Sequence, residues 1–183
     1  MALPPPRIIY GTAWKKAATK DLVVKAVLHG FSAIDTACQP KHYNEPAVGA
    51  ALEELQSRHN IPRAALYVQT KYTPLSGQDV ASVPYDASAP LRQQVEQSVA
   101  ASLKNLKSAY VDCLLLHSPL PKHADMMEAW RAMEAAVAGG SVRALGISNC
   151  YALPTLQKLW SEAVVKPRVL QNRRHPLPSK KAA

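Results

Sequence analysis

A chain of 183 residues is long enough for one ordinary domain with a buried core and short for two. Its 48% hydrophobic content suits a globular protein, and no apolar run reaches the roughly 18 residues of a membrane-spanning helix. The net charge of +9 permits attraction to anions, but the bases are scattered outside a terminal cluster of Lys166, Arg168, Arg173, Arg174, Lys180 and Lys181, with no zinc-finger spacing or aromatic–basic interleaving, so nucleic-acid binding is disfavoured.

The opening MALPPPRIIYG lacks a charged region followed by an apolar core, so no secretory signal is expected. Cys38, Cys113 and Cys150 are odd in number, widely spaced and without a Cys-x-x-Cys. They read as reduced thiols of a cytoplasmic protein, and no metal site is expected.

Along the chain, short apolar segments alternate with longer ones of helical period. A first strand over Arg7–Tyr10 is closed by Gly11-Thr12, and a helix over Asp21–His29 carries Leu22, Val23, Ala26 and Val27 on one face before Gly30 stops it. A strand over Ser32–Asp35 leads to a helix over Glu45–Ser57 with Val48, Leu52 and Leu55 in register. The third strand, Ala65–Lys71, is followed by a Gly-, Pro-, Ser- and Asp-rich loop from Tyr72 to Pro90.

Pro90–Leu106 is a helix striped by Leu91, Val95, Val99, Leu103 and Leu106. Then comes DCLLLHSP, where Val111 and Leu114–Leu116 form a strand without polar alternation, as in a buried parallel sheet, ending abruptly in His117. A helix over Asp125–Val137 presents Met126, Trp130, Met133 and Val137 to the core. A strand over Ser141–Ile147, a helix over roughly Leu153–Ala163 and a strand over Arg168–Gln171 complete the pattern.

Six strands, five of them followed by helices, predict a parallel sheet with crossover connections. A doubly wound nucleotide fold calls for a glycine-rich turn after the first strand, and only Gly11 stands there. A (β/α) barrel is the favoured architecture. Its strand ends share one mouth, where Thr12, Asp35, Lys71, His117, Ser148, Asn149 and Gln171 would gather. Taken singly, Asp35 reads as a turn residue, Lys71 as a solvated charge, His117 as a structural histidine and Ser148-Asn149 as a helix cap. Their recurrence at one strand end after another points to a shared site.

With these segments in order, the chain resembles the aldo-keto reductase family. AIDTACQPKHYNEPAVG, VQTKY, DCLLLHSP, VRALGISNCY and VLQNR are similar to its successive strand-end motifs, over roughly residues 7–173. The resemblance implies a catalytic tetrad of Asp35, Tyr43, Lys71 and His117 that reduces a small aldehyde or ketone with hydride from NADPH. Tyr43 would supply the proton and the Lys71 ammonium would make its phenol more acidic. Asp35 would hold Lys71, and His117 would donate to the carbonyl oxygen. Gly11 and Thr12, with Trp14 nearby, would line the mouth; Ser148, Asn149 and Gln171 would hold the nicotinamide amide. NADPH over NADH is a family expectation, and no oligomeric state is implied.

Two departures qualify the match. The loop CQPKH between Asp35 and Tyr43 is long for the family, which leaves Tyr72, beside Lys71, as a competing phenol. After residue 173 the text RHPLPSKKAA is basic, Pro-containing and without periodicity. It reads as a truncated, spliced or frameshifted end in place of two further β/α units, so residues 1–173 are expected to be an incomplete (β/α)8 barrel and 174–183 a disordered tail. Six strands leave two open edges and half of the cofactor clamp, so weak or absent NADPH binding is expected. A non-catalytic regulatory protein on the same scaffold, as the potassium-channel β subunits of this family are, is the alternative.

Overall fold

The computed structural model describes residues 6–173, so the segment 174–183 set apart in the sequence lies outside the described residues. Six strands form one all-parallel sheet in chain order: β1 (Tyr10–Gly11), β2 (Ala33–Asp35), β3 (Tyr67–Tyr72), β4 (Cys113–Leu116), β5 (Leu145–Ser148) and β6 (Val169–Gln171). Each parallel step needs a long return. Those returns contain α1 (Thr19–Leu28), α2 (Glu45–His59), α3 (Leu91–Leu106), α4 (His123–Ala138) and α5 (Leu153–Glu162).

The four central strands, β2–β5, bury both faces, which is why β4 shows no polar alternation. Outward-facing Ile34, Val68, Leu114, Leu116, Leu145 and Ile147 pack with Val48, Leu55, Val95, Trp130 and Met133 of the helices. Inward-facing Ala33, Tyr67, Cys113, Leu115 and Ala144 form a second, smaller cluster with Ile9 and Val169. This is the two-layer section of a (β/α) barrel, six strands of the way round. Within the described residues β1 pairs only with β2, and β6 only with β5.

The helices follow the expected stripes, with local shifts at their ends. Asn60 closes α2 in the left-handed conformation (φ 56°), and Gly30 (φ 101°) lets the chain leave the end of α1. Gly49 has a packing reason: a side chain there would collide with the Asn105 carbonyl where α2 crosses α3.

The strands differ more from expectation. β1 is Tyr10–Gly11 and not Arg7–Tyr10, because its pairing with β2 extends only over Tyr10–Ile34 and Gly11–Asp35. β3 starts at Tyr67 and not Ala65, since Arg63–Ala65 turn as a short 3-10 segment after Pro62. Tyr72, assigned to the loop, belongs to β3. β5 begins at Leu145 and takes in Ser148; of the preceding residues, Val142 makes only an isolated bridge to Val111.

A polar clamp fastens the end of the sheet remote from the mouth. Asp112, fully buried, accepts from Arg63 (2.8 Å), Arg143 (3.0 Å) and the Val68 amide (3.0 Å). The Tyr110 ring lies 4.3 Å from the Arg63 guanidinium and 3.6 Å from that of Arg143. A carboxylate taken out of water is tolerated only with such full pairing.

Candidate active site

Strand alternation decides what the mouth contains. Asp35, Gln69 and Lys71 point to the inner side of the sheet, while Thr70 and Tyr72 point to the helices. Tyr72 is fully buried in the outer core, its ring 5.8 Å from that of Tyr85 and its hydroxyl 3.5 Å from Gln94. It faces away from the mouth, whereas Tyr43 lies beside Lys71 and His117.

Lys71, 2% exposed, places Nζ 2.6 and 2.7 Å from the two Asp35 oxygens and 2.8 Å from the Thr36 carbonyl, so all three of its protons have acceptors. The Tyr43 ring centre lies 5.1 Å from that Nζ, and 6.1 Å from the His117 ring in an edge-on arrangement. Asp35, Tyr43, Lys71 and His117 therefore converge although 82 positions separate the first from the last.

The electrostatics differ from the expectation in one respect. Burial pushes the Tyr43 phenol up to about 12, with the Asp35 charge adding to it, so the phenol is a weaker acid than a free tyrosine in spite of the neighbouring Lys71. Burial also holds Lys71 below the ordinary lysine value, against the opposing pull of Asp35. His117 is brought down to about 4 by burial and the Lys71 charge, so its imidazole is neutral at pH 7.

Thr12 is fully buried, and both its amide (3.0 Å) and its hydroxyl (2.9 Å) donate to the Asp35 carbonyl. Its side chain thus ties β1 to β2 at the mouth, with Gly11 exposed beside it. Trp14 has a left-handed backbone (φ 64°) and stacks on His42 at 3.8 Å. Both border a cleft of about 870 Å³ that also takes in Tyr43, Lys16 and Lys41.

At the ends of β5 and β6, the Ser148 hydroxyl donates to the Gln171 carbonyl (2.8 Å). Asn149, left-handed at φ 54°, donates from Nδ2 to the His117 carbonyl (2.8 Å) and to Ser148 Oγ (3.3 Å). Among the described residues, Asn149 Oδ1 and the Gln171 side-chain amide have no partner. One free acceptor and one free amide fit a carboxamide such as that of nicotinamide.

Three contributors went unread in the sequence. Gln69, fully buried, donates to Asp35 Oδ1 at 2.7 Å. Thr73 meets His117 Nδ1 at 2.6 Å. Glu45 accepts from Thr70 (2.6 Å), Ser102 (3.0 Å) and Asn105 (3.1 Å), fastening the segment after Tyr43 to β3 and α3. Counting two residues back from Lys71 along the strand would have found Gln69; nothing local marked the other two.

The aldo/keto reductase family model matches residues 7–183. An NAD/NADP-dependent indole-3-acetaldehyde reductase of Schizosaccharomyces pombe is 34% identical over 159 residues, covering 85% of this chain and 48% of that protein. Among solved structures, an aldose reductase from Giardia lamblia matches with TM-score 0.77 at 28% identity, over 94% of this chain and 58% of its own. A Bombyx mori aldo-keto reductase in complex with NADP matches with TM-score 0.78 at 25% identity, over 97% and 57% respectively. The chain spans about half the length of the curated relatives it matches.

Proposed function

The chain belongs to the aldo/keto reductase family, and on that premise we propose that it reduces a small aldehyde or ketone to the alcohol with NADPH as hydride donor and Tyr43 as proton donor. What carries this reading is the meeting of Tyr43, Lys71, Asp35 and His117 at one mouth.

When bound, the cofactor would supply the hydride, its carboxamide held by Asn149 and Gln171. The protein's own residues do the rest. Among the described residues no hydrogen bond uses the Tyr43 hydroxyl, so it is free to meet a carbonyl oxygen. With its pKa near 12 the phenol is fully protonated at neutral pH. It gives up its proton only as the carbonyl oxygen becomes an alkoxide, a much stronger base. Lys71 then faces a forming phenolate and stabilises it, which is where its charge counts. Asp35 and the Thr36 carbonyl keep that ammonium aimed. His117, neutral, offers a second contact to the same oxygen.

Substrate turnover followed by the loss of nicotinamide absorbance, over a panel of aldehydes, tests the reading. Tyr43→Phe removes the proton donor, and about a 10²- to 10⁴-fold fall in kcat is expected. A wild-type chain that binds NADPH yet turns over none of the panel would favour the regulatory alternative. Micromolar or tighter NADPH affinity would overturn the expectation of a weakened cofactor clamp, and no binding even at millimolar NADPH would remove the basis of both readings.

A further inference from the structure

We propose that Thr73 is a positioning residue that fixes His117 as the tautomer with its ring proton on Nε2, so that the mouth receives an N–H donor and not a lone pair. Thr73 is 2% exposed, and its hydroxyl has one hydrogen-bond partner among the described residues, His117 Nδ1 at 2.6 Å. That hydroxyl carries one proton, and if Nδ1 also carried one, the threonine proton would be buried with no acceptor. The pair is satisfied only when Oγ1 donates and Nδ1 accepts. The remaining ring proton then sits on Nε2, which has no partner among the described residues.

The question of tautomer arises because the imidazole is neutral at pH 7, with its pKa near 4. His117 has little other freedom: its amide donates to the Tyr72 carbonyl (2.9 Å) and its carbonyl accepts from Asn149. Ring rotation is what remains, and the Thr73 bond stops it.

The excursion after β3 acquires a purpose on this reading, since it folds back to hold Thr73 still. The Thr73 carbonyl accepts from the Tyr85 hydroxyl (2.8 Å) and from Gln78 Nε2 (3.3 Å), and Gln78 also donates to the Cys38 carbonyl (2.9 Å). Gly77 faces the Thr73 methyl: a Cβ there would lie 2.8 Å from it. The task given to the Nε2 proton, a hydrogen bond to a substrate carbonyl oxygen, rests on the reductase reading; the tautomer does not.

Nitrogen-15 NMR of the imidazole rings in the full 183-residue chain at pH 7 reads the tautomer directly, with His117 assigned by the loss of its signals in His117→Gln. The expected wild-type spectrum has His117 Nε2 at the protonated position and Nδ1 at the unprotonated one. Thr73→Val keeps the shape and removes the hydroxyl, and should shift both signals toward a tautomer mixture; Thr73→Ser should restore them. A wild-type proton on Nδ1, or no change in Thr73→Val, overturns the proposal, and the wild-type spectrum decides even if Thr73→Val fails to fold. Under the reductase reading Thr73→Val should lower kcat by about tenfold, less than the roughly 10²- to 10³-fold seen when such a donor is deleted outright, with NADPH affinity unchanged. No turnover in the wild type would sink the reductase reading while the spectrum still judged the tautomer.

Discussion

Replacing Asp35 by asparagine should destabilise the fold by about 3–4.6 kcal/mol at pH 7, and the deficit should shrink as pH rises. Asp35 is the carboxylate paired with Lys71, at 2.6 and 2.7 Å, and the ammonium is 2% exposed. At an effective dielectric constant near 20, charges about 2.7 Å apart attract by about 6 kcal/mol. Stranding a buried charge by removing its partner typically costs about 3–5 kcal/mol. The loss also has a ceiling, because Lys71 can shed its proton: from a reference pKa of about 10.4, that costs about 4.6 kcal/mol at pH 7. The sign follows from burial. Lys71 already titrates below its unfolded value in the wild type, and further below it without Asp35. Between the folded and unfolded values the unfolded chain binds more protons, so stability rises with pH there. In Asp35→Asn that window extends to lower pH than in the wild type, and within the added part its deficit against wild type should narrow by about 1.4 kcal/mol per pH unit. Urea denaturation of both proteins at pH 7, 8 and 9 measures this. A deficit under 1 kcal/mol, or one that does not change with pH, would refute the view of Lys71 as a buried ammonium held by one carboxylate.

Three further outcomes are expected. Asp112→Asn should cost about 3–5 kcal/mol in the same assay with little effect on NADPH binding, since it breaks the clamp with Arg63 and Arg143 at the end of the sheet away from the mouth. If the chain reduces carbonyls, kcat should show no inflection from Tyr43 or His117 between pH 6 and 9, because the phenol loses its proton near 12 and the imidazole gains one only near 4; an inflection there that disappears in Tyr43→Phe would contradict the assignment. Finally, Cys38, Cys113 and Cys150 are buried and burial raises all three thiols, Cys38 and Cys113 to about 12, so an aromatic disulfide reagent at pH 8 should titrate none of them rapidly until the chain is unfolded.

The sequence by itself determined the order and type of every strand and long helix, because those rest on local signals: a stripe at helical spacing such as Leu91, Val95 and Val99, and an unbroken apolar run such as Leu114–Leu116. It also placed Asp35, Lys71 and His117 at strand ends, since a buried parallel strand ends where its apolar run stops. What it could not decide was which side of a strand a residue faces when a register shift of one reverses the answer. Tyr72, next to Lys71 in the sequence, faces the helix side because Lys71 faces inward. The acidity of the phenol was likewise beyond the sequence, because a pKa depends on burial and on the distances to charges of both signs. Asp35 and Lys71 were both legible, but the burial that raises the Tyr43 phenol exists only in the folded chain. Thr73 and Glu45 escaped for a related reason: each acts on a partner dozens of positions away, His117 and Ser102, and hydrogen bonds closed by folding leave no periodic trace in the chain.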